Sequence, residues 1–276
     1  MIDKKVGIIG RPLSHSLSPM LHNYWFKKYG ISANYSLIEI ELNEIEKIIE
    51  KIRNNVLHGI NVTVPYKQAV IPFLDLMVGD AKKTLSVNTI SLNNEGKVVG
   101  NNTDIYGFEQ GFLNKLRNQN FEQNVVLVLG AGGVTASVIF ALLNKKIEKI
   151  FVSNRTVKKA YEIKKKFPSI EILKWENIEA KAKDVDIIIN TTSLGLTEGS
   201  DFKQEFKTTK PNLVYYDIIY NPEETMMVKK FKKKNILSYN GLEMFIYQGQ
   251  KSFFLWNKIN PEIDIDLKKK IESKLK

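Results

Sequence analysis

The sequence predicts an α/β fold with parallel sheets, and three observations lead to this prediction. The chain has 276 residues, 43% of them apolar, which is enough for one large domain or two of ordinary size, each with its own core. From residue 125 onward, short β-branched runs alternate with stretches of helical period, as in strands joined by crossover helices. A glycine-rich turn, GAGG at 130–133, lies between one such strand and helix.

The first hundred residues combine short strands with helices. Ser18-Pro19 predicts a helix start, with Ser18 as N-cap, and the helix continues to about Tyr29. Isoleucines 45, 48, 49 and 52 share one face and predict an amphipathic helix over 43–53. The other predicted elements of this part are strands at 6–10, 34–40 and 59–64, a helix at 67–76, two short strands within 85–100 and a helix from about 104 to 118.

The second part alternates more regularly. Its predicted strands are 125–129, 149–153, 170–173, 185–190, 213–217 and 236–238. Its predicted helices are 133–143, 157–166, 176–182 and 223–233, followed by helices at 241–257 and 264–275. Parallel strands with right-handed crossovers follow from this order.

The distribution of basic residues argues against a nucleic-acid partner. The chain has 41 basic and 30 acidic residues, a formal net charge of +11, but the basic residues are 37 lysines and only four arginines, scattered along the sequence. A nucleic-acid site would concentrate this charge, with arginine and interleaved aromatic side chains. We therefore expect a solvated lysine-rich surface that attracts anionic small ligands.

Other residue types narrow the class of protein further. The chain has no cysteine, which removes disulfides, thiolate nucleophiles and cysteine-based zinc sites and fits a cytoplasmic location. The three histidines have no metal-ligand spacing, so no metal is expected. Residues 1–10 lack the apolar region of a signal peptide, and glycines interrupt the uncharged run 125–143, so we expect neither a signal peptide nor a membrane span.

The glycine turn predicts a dinucleotide site. Glycine lets the backbone turn tightly after a strand and approach a pyrophosphate, whose charge the helix N-terminus then meets. The strict G-x-G-x-x-G pattern is not met, because Thr135 stands in place of the third glycine, and a simple tight turn is the alternative interpretation.

The next strand indicates which cofactor. An NAD site has Asp or Glu about twenty residues after the turn to hold the ribose hydroxyls. Here the strand ends in Asn154-Arg155-Thr156, and Lys158 and Lys159 follow. The carboxylate of an NAD site would repel a 2′-phosphate, but in this sequence cationic residues occupy that region instead. The sequence therefore favours NADP. Residues 154–156 could also cap the following helix, and the two roles are compatible.

Polar residues collect at strand ends in the first part. Ser16 and Ser18 flank a strand-to-helix turn, where hydroxyls and free helix N–H groups can hold a carboxylate. Lys67 follows an apolar strand, and partial burial suits a lysine to acid–base catalysis. Asn88 and Asp104 are near two further strands. Taken singly, Ser18 and Asp104 are better explained as helix N-caps. The convergence of these polar residues at strand ends favours a binding site.

Nine segments resemble those of bacterial-type shikimate dehydrogenases, in the same order over nearly the whole chain. They are GRPLSHSLSPMLHN (10–23), GINVTVPYK (59–67), SVNT (86–89), NNTDIYGF (101–108), LGAGGVTAS (129–137), SNRT (153–156), NTTSLG (190–195), DIIYNPEET (217–225) and NGLEMFIYQGQKSF (240–253). Each segment is weakly specific alone, but the set is highly specific.

The resemblance implies an NADP-dependent oxidoreductase acting on a CH–OH group. The reaction is the reversible reduction of 3-dehydroshikimate to shikimate, a step of the shikimate pathway toward chorismate and aromatic amino acids. The implied architecture is an N-terminal α/β substrate-binding and catalytic domain (1–103 plus 240–276) and a Rossmann-like NADP-binding domain (104–239). The C-terminal helices return to the first domain and carry Gln248 with them.

The resemblance also implies roles for individual residues. Lys67 is the general acid–base residue and Asp104 its partner. The residues implied to hold the substrate carboxylate are Ser16, Ser18 and Tyr220. Those implied to hydrogen-bond the ring hydroxyls and the reacting carbonyl are Thr63, Lys67, Asn88, Asp104 and Gln248. Those implied to bind or flank NADP are Asp80, Gly130, Ala131, Gly132, Gly133, Val134, Asn154, Arg155, Thr156, Lys159, Ile218 and Gly241.

Small departures from the family pattern leave two alternatives. Val134 replaces a commoner Ala, Asp80 is shorter than the usual Glu, and Thr192-Ser193 replaces a more frequent Thr-Pro. One alternative is a quinate/shikimate dehydrogenase, which Ser18 disfavours because quinate users often have Thr there. The other is a catalytically silent NADP-binding regulator, which the presence of both Lys67 and Asp104 disfavours. The sequence leaves monomer and homodimer open.

Overall fold

A computed structural model of the chain describes residues 4–116, 121–147 and 149–275. The chain divides into two compact units. The first unit combines Met1–Gly107 with Ile246–Lys274, and the second unit is formed by Phe108–Phe245. The first unit is therefore built from both ends of the chain.

Strands and helices alternate along most of the chain. The strands are β1 (Lys4–Gly10), β2 (Ala33–Glu39), β3 (Gly59–Val62), β4 (Leu76–Met77), β5 (Thr89–Leu92), β6 (Val98–Asn101), β7 (Val125–Leu129), β8 (Lys149–Ser153), β9 (Glu171–Ile172), β10 (Ile187–Asn190), β11 (Val214–Asp217) and β12 (Leu237–Tyr239). The α-helices are α1 (Ser18–Lys28), α2 (Ile45–Arg53), α3 (Ala81–Thr84), α4 (Asp104–Gly111), α5 (Thr135–Asn144), α6 (Val157–Lys166), α7 (Ile178–Lys181), α8 (Met226–Lys233), α9 (Leu242–Asn257) and α10 (Ile265–Glu272).

The first unit contains a mixed, mainly parallel sheet in the order β2-β1-β3-β5-β6-β4. The β1–β2, β1–β3 and β4–β6 pairs are parallel, and the β3–β5 and β5–β6 pairs are antiparallel. Because β5 runs against β3, the start of β5 and the end of β3 lie at the same edge, with Asn61 paired to Thr89. Several loops thus meet at one edge of this sheet.

The second unit contains a fully parallel sheet in the order β12-β11-β10-β7-β8-β9. The chain leaves β7 toward β8 and β9, and then returns to continue from β10 in the other direction. This reversal between β7 and β10 is the topological switch point at which doubly wound sheets bind nucleotides. The predicted α/β class with a Rossmann-like second sheet is confirmed.

Each unit has its own apolar core. In the first, Ile45, Ile48, Ile49 and Ile52 of α2 are all buried against the sheet, as their spacing predicts. In the second, the fully buried Tyr215 packs against Phe231 with ring centroids 4.7 Å apart.

The helix predicted over 67–76 is wrong. This segment forms turns, a short 3₁₀ helix at Ile71–Phe73 and strand β4 at Leu76–Met77. Pro72 explains the difference, since it lacks an amide donor and disfavours helical geometry at Ile71. The helix predicted from 104 to 118 ends earlier, at Gly111, and continues as a 3₁₀ turn at Leu113–Leu116. The end of that predicted helix lies outside the described residues.

The uncharged run 125–143 folds as β7, the glycine turn and most of α5. Among the residues that the structure describes, we find no helix with the length and apolar character that crossing a membrane requires.

Candidate active site

Four loops converge at one edge of the first sheet. Parallel strands β1 and β3 both end there, β5 begins there at Thr89, and β6 ends there at Asn101, which pairs with Thr89. The amide of Val62 donates to the carbonyl of Asn88 at 2.8 Å, which joins two of these loops. The predicted site residues carried by these loops are Ser16, Ser18, Thr63, Lys67, Asn88 and Asp104.

Lys67 and Asp104 form a buried ion pair. The Lys67 Nζ lies 2.6 Å from Asp104 Oδ2, and the two side chains are 11% and 6% exposed. The Asn88 amide nitrogen donates to Asp104 Oδ1 at 2.8 Å and lies 3.4 Å from Gln248 Oε1. We call Lys67, Asp104, Asn88 and Gln248 the Lys67 cluster. A cation held beside a carboxylate, with further amide groups around it, can exchange a proton with a bound oxygen.

Lys67 lies in a loop, and hydrogen bonds of that loop hold its backbone in place. Its carbonyl accepts from the Val87 amide at 2.9 Å. The neighbouring Tyr66 is buried, and its hydroxyl donates to the carbonyl of Ile40 at 2.6 Å. These bonds fix the loop after β3 on both sides of Lys67.

Asp104 begins α4, but Asn102 satisfies the free amide there. The Asn102 Oδ1 accepts from the Asp104 amide at 3.0 Å. Interpreting Asp104 as a simple N-cap is therefore wrong. Its carboxylate is directed to Lys67 and Asn88 instead.

A second layer of polar side chains lies under the Lys67 cluster. The Ser252 hydroxyl is the centre of this hydroxyl network: it lies 2.8 Å from Thr89 Oγ1 and 3.2 Å from Thr103 Oγ1, and it accepts from Asn61 Nδ2 at 2.9 Å. Asn88 Oδ1 accepts from the Thr103 amide at 2.8 Å, which connects the network to the cluster. Asn61, Thr89, Thr103 and Ser252 were not among the predicted site residues. The available signal is that Ser252 stands four residues after Gln248, on the same face of α9.

Ser16 and Ser18 lie together at the start of α1. The Ser16 hydroxyl accepts from the Ser18 amide at 3.3 Å and donates to the Ser18 hydroxyl at 3.2 Å. The helix begins at Ser18 with Leu17 in the capping position, so the N-cap prediction for Ser18 is wrong and Ser16 meets that amide. Thr63 packs its methyl group against Gly10, where a side chain would overlap it.

The glycine turn, residues 130–134, follows β7 at the switch point of the second sheet. Gly130 has φ +116°, which favours glycine. Gly132 is exposed, and a Cβ added there would meet no atom of the described residues within 4 Å. Nothing in the chain itself requires a glycine at 132, so the open space on that side suits a ligand that approaches the backbone closely.

Cations surround the end of the neighbouring strand β8. Arg155, Lys158 and Lys159 are exposed, and Asn154 donates to the carbonyl of Thr156 at 2.9 Å. Thr156 precedes α6 without a capping bond from its side chain. The glycine turn, the N-terminus of α5 and these cations together suit a phosphorylated dinucleotide.

A buried carboxylate anchors the loop after β11. Asp217 is fully buried and accepts from the Asn190 side chain at 3.0 Å, the Thr225 hydroxyl at 2.9 Å and the Ile219 amide at 3.1 Å. Burial raises its pKa to about 6, although these hydrogen bonds act in the opposite direction. The charged residue within the apolar run VYYDIIY was the signal that sequence analysis did not use.

Two of the predicted cofactor-flanking residues, Ile218 and Gly241, lie close to this anchor. A side chain at Gly241 would overlap the backbone of Ile218, and the Gly241 amide donates to the Ile219 carbonyl at 3.0 Å, so the structure brings 218 and 241 together. Tyr220 stacks on Phe245 with centroids 4.3 Å apart. Asp80 belongs to the first unit, at the start of α3, where its carbonyl accepts from Thr84 Oγ1 at 2.9 Å.

No group of three or more His, Cys, Asp or Glu side chains within the described ranges could hold a metal ion.

Comparison with known proteins identifies the family. A family model described as the shikimate dehydrogenase substrate binding domain matches residues 8–90, and one described as shikimate / quinate 5-dehydrogenase matches residues 113–242. A relative from Pelagibacter ubique, named shikimate dehydrogenase (NADP(+)), is 48% identical over 261 residues, 93% of this chain and 94% of the relative. The chain belongs to the shikimate dehydrogenase family.

Solved members of the shikimate dehydrogenase family share the fold. The crystal structure from Aquifex aeolicus matches with a TM-score of 0.86 and 36% identity, covering 97% of this chain and 96% of that one. The structure from Thermus thermophilus, in complex with NADP(H) and shikimate, matches with a TM-score of 0.85 and 28% identity over 99% and 100% of the two chains. The resemblance to shikimate dehydrogenases in the sequence is confirmed.

Proposed function

We propose that this protein catalyses the reversible, NADP-dependent interconversion of 3-dehydroshikimate and shikimate. The observation that supports this most strongly is the buried Lys67–Asp104 pair, 2.6 Å apart, within a cluster of hydrogen-bonding side chains. Relatives named shikimate dehydrogenase (NADP(+)), matched over 94% and 96% of their own length, support this substrate and cofactor. The first unit is the proposed substrate-binding and catalytic domain and the second the NADP-binding domain, close to the boundaries 1–103 plus 240–276 and 104–239.

Lys67 is the proposed catalytic acid and base. Reduction of a ketone builds negative charge on its oxygen, and the Lys67 ammonium both stabilises that charge and donates the proton that completes the hydroxyl. In the oxidation direction, neutral Lys67 takes the hydroxyl proton. Asp104 Oδ2 keeps the Lys67 Nζ in place, and Asn88 holds the other oxygen of the same carboxylate.

Other residues of the first unit hold the substrate in this proposal. Asn88, Gln248 and Thr63 hydrogen-bond the ring hydroxyls. Ser16 and Ser18 bind the carboxylate through two hydroxyls at the N-terminus of an 11-residue helix, where the helix dipole favours an anion. The third carboxylate ligand that the family pattern assigns is Tyr220, which belongs to the second unit.

The second unit supplies most of the cofactor site. Gly130, Ala131, Gly132, Gly133 and Val134 cradle the pyrophosphate, and Asn154, Arg155, Thr156 and Lys159 bind the 2′-phosphate end. Ile218, Gly241 and, from the first unit, Asp80 flank the remainder. When bound, NADPH supplies the hydride that reduces the ketone carbon. The open side of Gly132 and the exposed cations after β8 support this assignment.

No metal, nucleic acid or membrane takes part in the proposed function. The reaction needs a proton donor and a hydride donor, and Lys67 and NADPH fill these two roles. The absence of cysteine from the sequence fits a cytoplasmic location.

A steady-state assay of four combinations tests the proposal: shikimate or quinate with NADP⁺ or NAD⁺. We expect the highest kcat/KM with shikimate and NADP⁺, and a preference for NADP⁺ over NAD⁺ of roughly tenfold or more, since charge-assisted bonds to the 2′-phosphate are absent with NAD⁺. Equal rates with NAD⁺ would remove the argument from Arg155.

Two other outcomes distinguish the alternatives. A kcat/KM for quinate equal to that for shikimate identifies a quinate/shikimate dehydrogenase, which the second family model also describes. Binding of NADP⁺ without turnover of either substrate identifies a silent NADP-binding protein and refutes the catalytic role of Lys67.

A further inference from the structure

Thr135, which stands in place of the third glycine of the dinucleotide pattern, forms a chain of hydrogen bonds across the glycine turn. Its hydroxyl accepts from the Gly132 amide at 3.0 Å and lies 2.9 Å from the Thr191 hydroxyl. The Thr191 hydroxyl donates to the carbonyl of Leu129 at 2.8 Å. Thr135 is fully buried and Thr191 is 5% exposed. We call these four groups the hydroxyl chain.

The donors and acceptors of the hydroxyl chain are fixed in one direction, because each hydroxyl has a single proton to donate. Thr191 uses its proton for Leu129, so Thr191 accepts from Thr135, and Thr135 in turn accepts from Gly132. Both ends of the hydroxyl chain therefore lie at the glycine turn: Leu129 precedes it and Gly132 lies within it. The hydroxyl chain thus connects Gly132, inside the turn, with Leu129, just before it. The two side chains that make this connection come from α5 and from the loop after β10.

Gly130 completes this arrangement. A Cβ at Gly130 would lie 2.5 Å from Thr191 Oγ1, 3.0 Å from the Thr191 carbonyl carbon and 3.1 Å from its carbonyl oxygen. The first glycine is thus needed both for its φ of +116° and for the close approach of Thr191. The glycine turn packs directly on Thr191, and the hydrogen bond from Thr135 keeps the Thr191 side chain in place.

We propose that Thr135 and Thr191 are positioning residues for NADP: the hydroxyl chain fixes the glycine turn in its binding conformation before the cofactor arrives. This inference rests on the proposed function. In proteins of the strict glycine pattern the third glycine allows close helix–strand packing; here a buried threonine occupies that position and contributes hydrogen bonds to the turn instead. A turn that is already ordered loses less conformational freedom on binding, which strengthens affinity.

Calorimetric binding of NADP⁺ without substrate tests the inference. Thr135→Val removes the hydroxyl with little change in volume, and we expect the Kd for NADP⁺ to rise about five- to tenfold, the equivalent of one or two net hydrogen bonds. Thr135→Ser keeps the hydroxyl and should stay within about twofold of the wild type. Thr191→Val breaks the same chain one step later and should resemble Thr135→Val.

The double variant Thr135→Val/Thr191→Val gives the sharpest result. Since either single change already breaks the chain, we expect a Kd close to that of each single variant rather than the product of the two effects. Proton exchange of the Gly132 amide in the cofactor-free protein should be faster in both single variants, a readout independent of binding and of activity.

Ser137→Ala is the matched control, because Ser137 is another fully buried hydroxyl residue of α5. It should leave the Kd for NADP⁺ unchanged, and thermal melting confirms that each variant is folded. An unchanged or lower Kd in Thr135→Val, or independent additive effects of the two valines, overturns the inference. Failure of the wild type to bind NADP⁺ instead refutes the proposed function, so the two failures are distinguishable.

Discussion

Acid should destabilise the first unit through one buried histidine, His22. Its ring is fully buried, stacks on Tyr35 with centroids 4.4 Å apart, and lies 5.7 Å from Trp25 and 5.3 Å from Trp256. Neither ring nitrogen has a hydrogen-bond partner among the residues that the structure describes. Burial therefore lowers the pKa of His22 from 6.5 to about 3.

The depressed pKa sets the direction and size of the effect. Above pH 6.5 His22 is neutral in both the folded and the unfolded chain, so it costs nothing there. Below pH 6.5 His22 is protonated in the unfolded chain, but in the folded chain it stays neutral down to about pH 3. The free energy of unfolding therefore falls as the pH is lowered through that range. At pH 5 the loss attributable to His22 is about 2 kcal/mol relative to pH 8, from about 1.4 kcal/mol for each pH unit below the unfolded pKa.

Urea unfolding at pH 8 and pH 5, followed by tryptophan fluorescence, measures this loss. We compare the wild type with His22→Phe and His22→Leu, which keep the site apolar and cannot titrate; two variants guard against overpacking by either one. Subtracting the pH effect in a variant from that in the wild type cancels groups common to both, including Asp217, whose raised pKa of about 6 gives the opposite pH dependence.

The expected difference is about 2 kcal/mol. His15→Gln, at an exposed position, is the control and should retain the wild-type pH dependence. If both His22 variants lose as much stability between pH 8 and pH 5 as the wild type does, His22 does not titrate as its burial requires and the reasoning is refuted.

Three further predictions concern the site. Lys67→Ala should lower kcat by about 10²- to 10⁴-fold while shikimate binding, measured calorimetrically, largely survives; a retained kcat would remove Lys67 from the chemistry, and Lys97→Ala, an exposed lysine of the same unit, is the control. Arg155→Ala should raise KM for NADP⁺ by roughly tenfold and leave KM for NAD⁺ nearly unchanged, since only NADP⁺ has the 2′-phosphate; an equal rise for both cofactors would contradict that role. Ser252→Ala should lower the free energy of unfolding by about 1–3 kcal/mol, because Thr89 and Thr103 lose a buried hydrogen-bond partner. Asn257→Ala, at the end of the same helix, is the control. A loss of stability no larger than that of the control would show that the hydroxyl network rearranges to replace the missing bonds.

Local pattern was sufficient to predict most of the second unit. Strands β7 and β8 have the bounds that their apolar runs predict, and the glycine turn falls directly after β7. Such segments are predictable because a buried parallel strand is a continuous apolar run and its helix follows at once. The segment at 67–76 failed for an equally local reason: Pro72 outweighs the helical spacing around it.

The Lys67 cluster was identified residue by residue, but its supporting network was not. Gln248 followed from the family resemblance alone, whereas Lys67, Asp104 and Asn88 belong to motifs whose residue types already indicate chemistry. Ser252 does not, because its partners Thr89 and Thr103 are distant in sequence and only the pairing of β5 with β3 and β6 brings them near α9. Long-range hydrogen bonds of this kind have no periodic signature in the chain.

The discontinuity of the first unit has a consequence for how the protein is made. Trp256 donates its indole proton to the carbonyl of Ile90 at 3.2 Å, and Ser252 bonds to three other segments of the same unit, so α9 completes its interior. During translation strands β1 to β6 leave the ribosome before α9, and they lack it until residues 242–257 have been synthesised. Residues 108–245 are one uninterrupted stretch and can fold in the meantime. We therefore expect the order of folding on the ribosome to be the reverse of the order in the chain: the part that begins first is finished last.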